Sequence, residues 1–62
     1  MFAGEMMRKL RGDRSKQTVA KAIGVSESAY VKYERGERIP RDDVKKRIAV
    51  YFGVSVESIF FA

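Results

Sequence analysis

Large apolar side chains recur along this 62-residue chain at intervals of three and four, with no strict alternation. That period predicts short amphipathic helices and no strands. Met6 or Met7, with Leu10, gives the inward stripe of a first helix over Ala3–Arg11. Val19, Ala20 and Ile23 give that of a second helix over Lys16–Ile23, and Tyr30 and Tyr33 that of a third over Glu27–Arg35. A fourth helix opens near Asp42 and Asp43, whose carboxylates suit the positive end of a helix dipole. Val44, Ile48, Tyr51 and Phe52 form its stripe, and Val56–Phe61 makes a short last helix. The punctuation agrees: Ser15, Ser26 and Ser55 stand at N-cap positions, and Gly24, Gly36 and Gly53 where helices stop. Ile39-Pro40 falls in a loop, because a residue before proline avoids the α region. The expectation is an all-α, compact five-helix bundle, a single domain over residues 1–62 with 1–5 frayed.

The segment 16–35, KQTVAKAIGVSESAYVKYER, is the most informative. Ala20 offers almost no side chain where a second helix would cross closely. Gly24 supplies the positive φ that ends a helix sharply, Val25 follows as an apolar plug, and Ser26 caps a new helix. Two short helices joined in this way form a helix-turn-helix, whose second helix enters the major groove of DNA.

Composition narrows the function further. With no cysteine there is no thiol chemistry, no disulfide and no Cys-based metal site; with no histidine either, zinc sites and Ser-His catalysis lose their residues. No nucleophile–base pair or phosphate-cradling glycine loop stands out, so an enzyme is not expected, nor any cofactor or bound metal. No apolar run reaches membrane-spanning length and no signal-peptide core is present, so a cytoplasmic location, beside the DNA of a prokaryotic cell, is the default expectation. The net charge of +5 suits a polyanionic partner. Most of it is concentrated in residues 7–21, where Arg8, Lys9, Arg11, Arg14, Lys16 and Lys21 face Asp13 alone.

The residues Leu10-Arg11, Ser15, Val19-Ala20-Lys21-Ala22-Ile23-Gly24-Val25-Ser26, Glu34-Arg35-Gly36-Glu37-Arg38-Ile39-Pro40, Ile48-Ala49, Phe52-Gly53-Val54-Ser55 and Ile59-Phe60 carry a family likeness. The chain resembles the Cro/phage-repressor type of helix-turn-helix domain, also called the xenobiotic-response-element family, from about Met6 onward. The resemblance implies a lambda-repressor-like bundle that binds palindromic operators as a dimer and regulates transcription, most often as a repressor. It implies base contacts at Glu27, Ser28 and Lys32, and an ion pair between Glu34 and Arg11 that joins helix 1 to helix 3. It also implies a phosphate contact at Lys16, where the family often has glutamine and where Gln17 follows. The link from Arg11 to Ser15 is shorter than the family's by about two residues, a deletion that a loop absorbs.

The residues themselves support such roles. With Tyr30 and Tyr33 inward, Glu27, Ser28, Val31 and Lys32 are left outward. Lys32 suits guanine O6 and N7, and Ser28 several base edges. Glu27 fits two roles equally: accepting from cytosine N4, or favouring a helix N-terminus. The phosphate candidates are Arg14, Lys16, Gln17, Arg35, Arg38 and Arg41. Ile59, Phe60 and Phe61 are three large apolar residues that one helix face cannot bury together. Ile59 is expected inward, leaving Phe60 or Phe61 for a homodimer contact. An antitoxin-like or adaptor module, bound mainly to another polypeptide, is the alternative function.

Overall fold

A computed structural model describes residues 2–61 and contains five α-helices: α1 Ala3–Arg11, α2 Lys16–Ile23, α3 Glu27–Arg35, α4 Asp42–Phe52 and α5 Val56–Phe60. No strand occurs among the described residues. The expected boundaries hold to within one residue, α5 ending at Phe60 rather than Phe61. The side chains of Ser15, Ser26 and Ser55 each accept a first-turn backbone N–H, from Thr18, Ala29 and Ser58. Each bond satisfies one of the donors that a helix start otherwise leaves orphaned.

Helix α3 packs on α1 and α2, α4 on α2 and α5, and α5 closes back on α1. The central core is built from Met7, Val19, Ile23, Tyr30 and Ile48, all effectively without solvent contact. Of the two candidate methionines, Met7 takes the inward place. Ile59 is buried as expected, whereas Tyr51 and Phe52 are only half-buried and Ala49 lies inside.

Met1 lies outside the described residues; helix α1 begins at Ala3, as its expected boundary has it, and Gly4 is buried. The cause is a close crossing. A Cβ at Gly4 would run into the backbone carbonyl of Glu34, so only glycine lets α1 approach the end of α3 this closely. The Phe2 ring then lies over Gly36, covering the α3 terminus.

Candidate nucleic-acid interface

The turn between α2 and α3 is set by Gly24, whose φ of 79° lies in the left-handed region. Its N–H turns back to the carbonyls of Ala20 and Lys21, and the Val25 N–H reaches Ala20 at 3.0 Å. This pattern closes α2 within one residue. Ser26 then starts α3, with its Oγ 3.1 Å from the Ala29 nitrogen.

From that start the 3.6-residue period sorts α3 into two faces. Tyr30, Tyr33 and Glu34 are buried. Glu27, Ser28, Lys32 and Arg35 are exposed and line one shallow open surface, together with the half-buried Val31 and with Glu37. The structure therefore brings the three base-contact candidates together on the outer side of one helix.

The inner face is anchored by a bidentate ion pair. The Arg11 Nε donates to Glu34 Oε2 at 2.7 Å and Nη2 to Oε1 at 3.1 Å; a third guanidinium donor meets the Arg14 carbonyl at 2.9 Å. The Glu34 side chain is only 5 % exposed. Burial alone would raise its carboxyl, but the Arg11 hydrogen bonds and the charges of Arg11 and Lys16 outweigh that and hold it below the ordinary carboxylate value. The same bond to Glu34 raises the Arg11 guanidinium further. Beside the pair, the Tyr30 hydroxyl is buried without a hydrogen-bond partner of standard geometry. Burial and the Glu34 charge push it well above its ordinary value, so it stays neutral.

The phosphate candidates fall into separate groups. Arg38 and Arg41 line one polar hollow of about 350 Å³ beside Ser26 at the amino end of α3, and Arg47 of α4 joins them. Arg41 is also the residue before α4, which starts with no side-chain cap. The amides of its first turn are thus left for an outside acceptor such as water or an anion. Arg35 is exposed, its nearest carboxylate being Glu37 at 4.0 Å. Gln17 is exposed and Lys16 half-buried in the first turn of α2.

Arg14 is different. Its guanidinium donates to the carbonyls of Leu10 at 2.6 Å and Arg11 at 3.1 Å, closing the last turn of α1. It also lies 5.1 Å from the Tyr51 ring centre and 5.4 Å from that of Phe52. Those rings sit at the carboxyl end of α4, about 15 Å along the helix from Arg41. Arg14 is thus held away from the hollow and is already occupied by protein groups.

A helix-turn-helix family model matches residues 5–59. The chain belongs to the Cro/C1-type helix-turn-helix family. It is also similar to the cryptic phage CTXphi transcriptional repressor RstR of Vibrio cholerae, with 31% identity over 61 residues. The match covers 95% of this chain and 54% of RstR, so the chain spans about half the length of that relative. No solved structure matches.

Arg47, which lines the hollow with Arg38 and Arg41, stands outside the phosphate candidates; its visible signal in the sequence is only the i,i+4 spacing from Asp43, with which it pairs at 3.8 Å. Its nearness to the α2–α3 turn depends on how α4 packs across α2, which local spacing does not encode.

Proposed function

We propose that this domain is a sequence-specific, double-stranded-DNA-binding regulator of transcription, a repressor that reads a palindromic operator as a homodimer. One observation carries the reading. Helix α3 turns Tyr30, Tyr33 and Glu34 into the core and leaves Glu27, Ser28, Lys32 and Arg35 together on an open face. In the major groove, Lys32 donates to guanine and Ser28 to either kind of base edge, with Glu27 beside them at the amino end of the helix. Arg35, Arg38 and Arg41 take phosphates on the flanking strand, and Lys16 and Gln17 do so at the start of α2. Arg14 we assign to holding the α1–α2 corner. The similarity to a phage repressor supports the regulatory role, and the absence of histidine and cysteine supports a binding module over an enzyme.

Size and surface support the dimer. The domain measures 25 × 23 × 23 Å, whereas two half-sites one helical turn apart are separated by about 34–36 Å. Reading both requires two copies. Phe61 is 67 % exposed, while Phe60 is half-buried against the core, so Phe61 supplies the larger contact. The same exposed aromatic, with Phe2 and Ile39, favours a second reading in which a different polypeptide docks here and DNA binding is secondary.

Selection of bound duplexes from a random pool tests the main reading. A recurring half-site, repeated with two-fold symmetry, is the expected result. A pool that stays random after several rounds, with the chain folded throughout, would remove sequence-specific recognition. Gel filtration across a range of concentrations, with and without Phe61→Asp, tests the contact: the variant should stay monomeric where the parent chain dimerises.

A further inference from the structure

The polar hollow beside the α2–α3 turn holds a third arginine that the reading above leaves without a task. Arg47 projects from the middle of α4 and lines this hollow with Arg38, Arg41, Ser26 and Asp43. Its guanidinium also reaches the turn itself: Nη1 lies 3.4 Å from where a Cβ on Gly24 would stand. Arg47 therefore sits between the end of α2 and the start of α4, on the side where α3 begins. Its only ion-pair partner among the described residues is Asp43, one turn earlier at 3.8 Å, and both side chains are more than half exposed. Such a pair is loose and easily exchanged.

We infer that Arg38, Arg41 and Arg47 form one seat for a backbone phosphodiester of DNA, with Asp43 as the internal counter-ion that Arg47 leaves when the phosphate arrives. The inference rests on the DNA-binding reading and extends it to Arg47, a residue outside the phosphate candidates. Arg38, Arg41 and Arg47 all line the one hollow, and a guanidinium presents its donors in a fork that suits phosphate oxygens. Asp43 makes the seat self-limiting. Without a phosphate it neutralises part of the hollow, and with one it repels the same anion. The carboxylate thus lowers affinity for all duplexes alike and leaves discrimination to Ser28 and Lys32.

The full chain is titrated with a labelled random-sequence duplex over a series of salt concentrations. Arg47→Ala should lower affinity and reduce the magnitude of the log–log salt slope by about one. Between 50 and 200 mM salt its affinity should fall about 3.5-fold less than that of the parent. Arg47→Lys should keep most of the slope, since the charge stays. Asp43→Asn should raise affinity, and raise it less in the Arg47→Ala background, because the displaced pair is then already gone. Arg38→Ala serves as the reference for the underlying reading. A normal slope in Arg47→Ala, together with a reduced one in Arg38→Ala, would overturn the shared seat while leaving DNA binding intact. Loss of salt-dependent binding in the parent chain would overturn both. Arg47 is exposed on a helix where alanine is well tolerated, so circular dichroism should show each variant folded.

Discussion

Two sets of charges on this small domain are handled in opposite ways. At the α1–α3 joint, Arg11 and Glu34 are bidentate, as close as 2.7 Å and largely buried. On the outer side of α3 and around the start of α4, Arg35 and Arg47 reach their carboxylates only at 4.0 Å and 3.8 Å. Ser28, Lys32, Arg38 and Arg41 are exposed beside them. The difference separates charge that holds the fold from charge free to meet a ligand. A buried pair has already lost its water and gains nothing from exchanging partners. An exposed cation with a loose partner keeps its hydration until a phosphate or a base edge replaces it. Glu34 shares the nine-residue α3 with Ser28, Lys32 and Arg35, so the joint sets the angle at which that outer face is offered.

Breaking the joint should therefore have the largest effect. Glu34→Ala leaves the Arg11 guanidinium without its partner and should cost about 3 kcal/mol, near the lower end for buried pairs because Arg11 keeps some solvent contact. Urea unfolding measures it; a loss below about 0.5 kcal/mol would mean the pair is in effect a surface one. The pH dependence has a fixed sign. Glu34 is depressed below its ordinary 4.5 in the fold, so on acidification the unfolded chain takes up the proton first. The stability Glu34 contributes is complete above about pH 5, falls as the pH drops below the ordinary value, and is gone once the folded carboxyl protonates. Tyr30 acts at the other end of the scale. Its raised hydroxyl lets the unfolded chain ionise first above the ordinary 10.0, so stability falls as the pH rises past that value. Glu34→Ala should flatten the acid limb.

The same joint is sharpened by Gly4→Ala. Helix propensity alone predicts a gain of about 1 kcal/mol for this change. The crossing predicts the reverse, because the new methyl collides with the Glu34 carbonyl, and forced repacking of this kind costs roughly 1–3 kcal/mol. A net loss on thermal unfolding is expected; a net gain would show that α1 can slide off α3 without penalty.

The contrast also explains how much the sequence discloses. The stripes, serine caps and glycine stops are local, and they marked all five helices to within a residue. The outer set on α3 was legible for the same reason, since Tyr30 and Tyr33 fix which residues face away. What failed depends on contacts between distant segments. Gly4 reads as a weak helix residue at a fraying end until the end of α3 is laid against it. Phe60 and Phe61 look equivalent until α5 closes on α1 and half-buries one of them. Arg14 stands among the phosphate candidates and Arg47 does not. Helix packing sends one onto Tyr51 and Phe52 and the other beside Gly24.

On the outer side, Lys32→Ala should cost about 1–3 kcal/mol of discrimination at one base position of the selected site, with a much smaller effect on random duplexes. Competition between the selected site and its single-base variants measures this. An equal loss on every sequence would move Lys32 from base reading to the phosphate group.

Arg14 is the residue that most closely tests the division, because its charge would suit either side. Its two carbonyl acceptors and its position over two rings put it with the fold. Arg14→Ala should then reduce stability by about 1 kcal/mol, through lost hydrogen bonds and cation–π contact. The salt slope of duplex binding should stay at the parent value, because no phosphate contact is removed. A variant of unchanged stability whose slope drops by about one would place Arg14 among the recognising charges. An arginine can then serve DNA even when protein carbonyls already hold it, and pairing distance in the free domain would no longer separate the two sets.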